Sequence, residues 1–100
     1  MSWADRAIQE LREGRAAQVR PHGQSMRGRV ESGALVTLEP CKAADLKEDD
    51  IVLVRVKGNV YLHLVKAKQG DRFLIGNNRG GINGWVGPQA VYGLATKIEN

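Results

Sequence analysis

The sequence predicts a mainly β protein with one short helix at its N-terminus. Apolar residues at helical spacing are confined to residues 1–14, where Gly14 ends the pattern. Residues 15–100 contain short runs of branched apolar residues separated by Gly, Pro and Asn, which is typical of strands and turns. Glycine is frequent, at 12 of 100 residues, and this also indicates many turns. A chain of this length fits a single domain, so we expect residues 1–100 to fold as one unit.

The N-terminal segment has the features of a short amphipathic helix. Ser2 is the expected N-cap, and Asp5 follows it at the third helical position. The apolar stripe that would pack on the β body comprises Trp3, Ala7, Ile8 and Leu11.

Six strands are predicted in the remainder, over residues 16–20, 34–39, 51–57, 60–67, 72–76 and 90–98. A glycine-rich loop is expected over residues 76–88. The segment 51–57 is the clearest strand, and Gly58-Asn59 is predicted to be the two-residue turn that joins it to 60–67. This turn would place Lys57 opposite Val60, Val56 opposite Tyr61 and Val54 opposite His63.

Composition and cysteine usage exclude several classes of protein. Hydrophobic residues make up 42% and charged residues 26%, which fits a folded globular chain rather than a disordered one. No run approaches the ~20 apolar residues that span a bilayer, and no signal-peptide core is present, so we expect a cytoplasmic protein with no membrane contact. Cys41 is the only cysteine and allows neither an internal disulfide nor a cysteine-based metal site. We expect no metal and no cofactor.

The charge is uneven along the chain. Residues 1–50 carry 8 Lys and Arg against 9 Asp and Glu, whereas residues 51–100 carry 7 against 2. A basic half is compatible with a nucleic-acid partner, but these charges are scattered as on the solvent faces of strands. A protein substrate or partner is therefore the first expectation, and nucleic acid the second.

A first candidate for chemistry is Ser25, which lies between Gly23 and Gly28 just after a strand that Pro21 ends. A serine on such a tight loop can present its hydroxyl and neighbouring N–H groups to a substrate, as a nucleophile and an oxyanion site require. The alternative is an ordinary turn serine.

His63 is the second candidate, because an imidazole in the middle of an apolar strand needs a partner. It would act as general base near neutral pH, or be a satisfied structural histidine. His22 is a rival base, but on a loop close to Ser25 we expect it to be solvated. The third candidate is the segment from Ile75 to Trp85, which is rich in amides and glycines and forms either a self-capped surface loop or a wall of the active site.

Taken in order, these segments resemble the serine peptidase superfamily of LexA-type repressors and type I signal peptidases. Its Gly-x-Ser-Met motif is matched by Gly23-Gln24-Ser25-Met26, and its Gly-Asp-hydrophobic-Val segment by residues 49–54, with Asp49 where glycine is typical. The strand that delivers the base corresponds to residues 61–65, its Gly-Asp-Asn loop to Gly76-Asn77-Asn78, and its final strand to residues 91–95. The resemblance covers about residues 17–98.

This resemblance implies a coiled β-sheet body in which Ser25 is the nucleophile and His63 the base. Histidine occupies that place in the endoplasmic-reticulum and archaeal type of signal peptidase, whereas bacterial signal peptidases and LexA-type proteins use lysine. The N–H of Ser25 and that of a neighbour, with Gly23 and Met26 the candidates, would hold the oxyanion.

The sequence departs from the family at the acid, because Asn77 stands in its place and no Asp or Glu occurs between Asp71 and Glu99. The group that orients His63 would then be Asn77, Asn78, Asn83 or a backbone carbonyl. Without an anchor, signal-peptide removal is not expected, and without an Ala-Gly bond or a preceding DNA-binding domain neither is LexA-like self-cleavage.

Two other functions remain open at this stage. The first is an inactive protein- or nucleic-acid-binding module on the same fold, with Trp85, Arg79 and the asparagine loop as its contact surface. The second is a structural component, for example of a phage particle.

Overall fold

The computed structural model describes residues 3–100, which form one helix and seven strands. The elements are α1 (Asp5–Arg12), β1 (Ala17–Val19), β2 (Leu35–Glu39), β3 (Ile51–Val56), β4 (Asn59–Gln69), β5 (Arg72–Gly76), β6 (Ile82–Val86) and β7 (Val91–Glu99). Two short 3-10 turns precede β3 and β7, at Ala43–Asp45 and Pro88–Ala90. The predicted mainly β class with one short helix is confirmed.

The helix α1 packs on β1 and β7 through one apolar face. Ala7, Ile8 and Leu11 are buried, as their spacing predicts, whereas Trp3 stays 45% exposed. The helix begins after Ala4, which makes no side-chain capping bond. Ser2, the predicted N-cap, lies outside the described residues. Gly14 ends the helix in the left-handed conformation that glycine adopts at low cost, with φ of 82°.

All seven strands belong to one antiparallel sheet, in the order β1-β2-β7-β3-β4-β5-β6. The sheet curls, because β6 at one edge comes back over the end of β3. A Cβ on Gly84 of β6 would lie 3.8 Å from a methyl carbon of Val56.

The two faces of the β3–β4 hairpin contribute to two different cores. One core lies between the sheet and α1 and includes Leu53, Leu62 and Met26. The other lies inside the curl and includes Val52 and Phe73. Alternation along each strand therefore divides the apolar residues between two buried layers.

The prediction of a loop over residues 76–88 was wrong in part, because the segment contains the strand β6, of which four of the five residues pair with β5. Two polar or glycine residues, Asn83 and Gly84, interrupt the apolar pattern and lower its β propensity. For this reason the sequence pattern indicated a loop. Pairing with β5 overrides this local preference.

The β3–β4 hairpin forms as predicted, but its turn lies one residue earlier in the chain. The two central turn residues are Lys57 and Gly58, with φ of 51° and 86°, rather than Gly58 and Asn59. Positive φ at both central positions identifies a type I′ turn, which matches the twist of the strands and favours glycine at its second position. The prediction placed glycine at the first position and was wrong.

The corrected turn shifts the pairing by two residues. His63 lies opposite Val52 rather than Val54, Tyr61 lies opposite Val54 rather than Val56, and Val60 lies opposite Arg55. Because side chains alternate with a period of two, this shift leaves His63 on the predicted face of β4.

Candidate active site

The Ser25 loop runs from Pro21 to Gly33. It is held against the rest of the domain by a buried side chain and by hydrogen bonds. The side chain of Met26 is buried in the core beneath α1. On the polar side, the N–H of Asn78 donates to the carbonyl oxygen of Ser25 at 2.9 Å, and its side-chain amide donates to the carbonyl oxygen of Arg27 at 2.9 Å. Ser25 itself is half-buried and follows Gly23, whose φ of 126° suits only glycine.

The structure brings Ser25 and His63 together. Nε2 of His63 lies 3.2 Å from Oγ of Ser25, although the two residues are 38 positions apart in sequence. His63 is only 5% exposed, and the central position of β4 fixes the direction of its side chain. The distance is within hydrogen-bond reach, as a nucleophile and its base require.

The other ring nitrogen, Nδ1, lies 2.7 Å from the amide oxygen of Asn83. Because an amide oxygen can only accept, this contact places the ring proton on Nδ1. Nε2 is then the unprotonated nitrogen and accepts the hydrogen bond from the Ser25 hydroxyl. Asn83 thus sets the tautomer that a general base needs.

A β-bulge brings Asn83 to this place. The pairing of β5 with β6 passes from Ile75 opposite Gly84 to Gly76 opposite Ile82, so Asn83 is the extra residue on its strand. Bulges re-aim side chains in this way, and they occur often beside active sites.

Asn77 and Asn78, the other predicted orienting residues, do not contact His63. The amide oxygen of Asn77 accepts from the N–H groups of Arg79 at 2.9 Å and Gly81 at 2.8 Å, so this side chain closes its own loop. Asn78 holds the Ser25 loop, as described above. Of the three candidates, the structure places only Asn83 on the ring.

The predicted oxyanion donors are arranged unequally. The N–H of Gly23 donates to the hydroxyl of Ser32 at 3.0 Å and is therefore engaged. Within residues 3–100, the N–H groups of Ser25 and Met26 have no hydrogen-bond acceptor. His22 is exposed and makes no hydrogen bond to Ser25.

Burial sets the acid–base properties of His63. Desolvation lowers the pKa of its imidazole below the ordinary value of 6.5, and the hydrogen bond to Asn83 offsets part of this effect. The ring of Tyr61 stacks on it, with centroids 4.7 Å apart. His63 is therefore a neutral base at pH 7. The stack was not predicted, although Tyr61 is two residues from His63 and shares its face.

A largely apolar cavity of about 260 Å³ opens beside the pair. Its wall combines residues from the Ser25 loop and from β4 with one residue that precedes α1, namely Pro21, His22, Gly23, Ser25, Met26, Val30, Glu31, Val60, Tyr61, Leu62, His63 and Trp3. The sequence did not predict that Trp3 lines this cavity. It predicted only that Trp3 belongs to the apolar stripe of the N-terminal helix.

Within the described residues, none of the helices has the length and hydropathy of a membrane-spanning segment. In the same part of the chain, no three His, Cys, Asp or Glu side chains cluster so that they could hold a metal ion. The chain matches no protein-family model and no curated protein.

Proposed function

We propose that this protein is a serine peptidase of the LexA/signal-peptidase-like type that acts on a protein of the cytoplasm, with Ser25 as nucleophile and His63 as base. The observation that carries this proposal is the hydrogen-bonded row of Ser25 Oγ, the His63 ring and the Asn83 amide. The same order of nucleophile, imidazole and amide is used by the Cys-His-Asn peptidases.

In the proposed reaction, Oγ of Ser25 attacks the carbonyl carbon of the substrate while its proton passes to Nε2 of His63. The N–H groups of Ser25 and Met26 are the candidates to stabilise the oxyanion, since neither has a partner within residues 3–100. The imidazolium then protonates the leaving amine, which leaves an acyl group on Ser25. Water, deprotonated by the same imidazole, releases the acid and restores the serine.

The backbone at Asp49 supports the assignment to this superfamily. Asp49 occupies the place where the family has glycine, and it adopts the left-handed conformation, with φ of 73°, that glycine favours. Its N–H donates to the carbonyl oxygen of Val65, so the conformation is tied to the strand that carries His63.

The open side of β4 indicates how a substrate would bind. Residues 59–63 pair with β3 on one side, but β5 pairs with β4 only from Leu64 onward. The cavity includes Val60 and Leu62 from one face of β4, and Tyr61 and His63 from the other. Because the cavity contacts both faces of β4, it surrounds the unpaired edge of residues 59–63. An extended peptide can pair with this edge as an added strand.

The absence of a carboxylate behind His63 limits the rate. Replacing the acid of a full triad by an amide that imposes the wrong tautomer costs about 10⁴ in turnover. Asn83 holds the correct tautomer but carries no charge to stabilise the imidazolium. We therefore expect slow turnover of generic peptides.

Labelling with a fluorophosphonate probe tests the proposal, because the probe reports an activated serine even when turnover is slow. We expect Ser25 to be modified in the wild-type protein and more than Ser2 or Ser32, as mapped by mass spectrometry. Ser32→Ala is the matched control and should keep the label. His63→Ala should abolish it while circular dichroism shows an intact fold. Equal labelling of wild type and His63→Ala, or none in either, refutes the peptidase proposal.

A non-catalytic binding module is the second candidate, and one observation favours it. Ile82 and Trp85 of the edge strand β6 are 57% and 42% exposed, which is unusual for large apolar side chains. Equal labelling of wild type and His63→Ala, or no labelling in either, is the result that would favour this alternative.

A further inference from the structure

The cleft beside Ser25 continues along the hairpin to Arg55. A second, shallower depression shares Trp3, Val60 and Tyr61 with the cavity and reaches Asp5, Arg55 and Asn59 beyond them. Arg55 lies directly opposite Val60 in the β3–β4 pairing. The apolar cleft at the serine therefore leads to an arginine at its far end.

Arg55 is exposed but held in place. Its Nε donates to the hydroxyl of Tyr92 at 2.8 Å, and one terminal nitrogen donates to the carbonyl oxygen of Gly58 at 3.1 Å. The guanidinium carbon lies 5.9 Å from the centroid of the Tyr92 ring. These contacts use two of the five N–H donors of the guanidinium. Within residues 3–100, the other donors have no partner and no ion pair involves Arg55.

The charges around Arg55 differ between its two sides. On the helix side, Asp5 and Glu13 accompany Arg12. On the hairpin side, Arg55 and Lys57 line a depression that contains no acidic residue. This depression adjoins the groove at Arg55 and Gly58. Because Asp5 lines the groove itself, an anion is favoured on the hairpin side of Arg55.

We propose that Arg55 and Lys57 form a specificity subsite that binds the carboxylate of an Asp or Glu in the substrate peptide. A guanidinium fixed by other bonds loses little freedom when it receives a carboxylate, and its free N–H groups suit two-point binding. Val60 lies three positions before His63 along β4, which is about 10 Å of strand. The acidic residue therefore lies about three positions from the bond that is cleaved. This inference rests on the proposed peptidase function.

The test is a cleavage profile on peptides derived from a whole proteome. Protein and peptides are mixed at equal concentration, so that one turnover per molecule suffices, and new termini are identified by mass spectrometry. Cleavages that persist in Ser25→Ala are subtracted. We expect Asp and Glu to be enriched about fivefold, as for a solvent-exposed ion pair, at positions two to four residues from the cleaved bond on one side. The enrichment should fall as salt is added.

Substitutions at Arg55 assign the preference to this residue. Arg55→Gln should remove the enrichment, and Arg55→Glu should replace it with enrichment of Lys and Arg. Arg72→Gln, which changes an exposed arginine of β5 outside the groove, should keep it. Ser25-dependent cleavage with no acidic enrichment, or an enrichment that survives Arg55→Gln, overturns the subsite alone. Absence of both Ser25-dependent cleavage and Ser25 labelling overturns the proposed function and the subsite with it.

Discussion

The amide oxygen of Asn83 lies on the edge of the His63 ring away from Ser25, 2.7 Å from Nδ1. In Ser-His-Asp enzymes a carboxylate occupies this position and does two things: it sets the tautomer and stabilises the imidazolium. An amide can do only the first. Asn83, and not Asn77, therefore occupies the position of the triad acid, and Asn83 is the residue at which a carboxylate should be introduced.

Asn83→Asp should convert the row into a full triad. A carboxylate beside the ring favours the protonated form, so the pKa of His63 should rise. Labelling of Ser25 should become faster at neutral pH. The pKa is measured by NMR titration of the His63 ring, and the rate with a fluorophosphonate probe. Asn77→Asp is the control and should change neither quantity, because Asn77 bonds only to its own loop.

The pH dependence of labelling should follow His63 in its neutral form. Burial lowers the pKa of this imidazole below 6.5. The rate of Ser25 labelling should therefore rise with pH, with a midpoint below 6.5, and then remain constant up to pH 8. A midpoint above 7 would mean that another group activates Ser25.

The free energy of unfolding should depend on the same histidine. Between the lowered folded pKa and the ordinary value near 6.5, the unfolded chain binds more protons than the folded one. The contribution of neutral His63 to stability is therefore complete above pH 6.5 and is lost as pH falls through the folded pKa. Urea unfolding at pH 7.5 and pH 5 measures the difference. His63→Gln should reduce it, whereas His22→Gln, at an exposed position, should leave it unchanged.

Lys57→Asn should stabilise the hairpin. Lys57 adopts a positive φ at the first central position of a type I′ turn, where asparagine is favoured and lysine is strained. The free energy of unfolding should increase by about 0.5 kcal/mol, measured by urea denaturation. Lys57→Ala keeps the strain and should show no gain. Equal stability of Lys57→Asn and wild type would contradict the turn assignment.

The sequence predicts strands where branched residues dominate and fails where pairing partners decide. The segment Ile51–Val56 consists mostly of branched apolar residues, and it is a strand in the structure. The strand Ile82–Val86 has a weak pattern and exists because β5 is beside it. The turn was misplaced by one residue because Gly58-Asn59 and Lys57-Gly58 both contain a glycine that accepts positive φ.

The site could be predicted only in part for a related reason. A serine on a tight loop and a histidine in an apolar strand each need a partner, and this need is visible in the residues themselves. The choice among Asn77, Asn78 and Asn83 is not, because it depends on a bulge in the β5–β6 ladder. Likewise, no periodicity along the chain could place Trp3 beside Ser25.

The spread of the three site residues along the chain has a consequence for biosynthesis. Ser25 precedes His63 by 38 residues, and His63 precedes Asn83 by 20. While the ribosome is still extending the chain, the serine is made long before its base, and the base before the amide that orients it. Under the proposed function, a nascent chain therefore carries an unactivated serine, and Ser25 becomes reactive toward other proteins only after synthesis has passed β6.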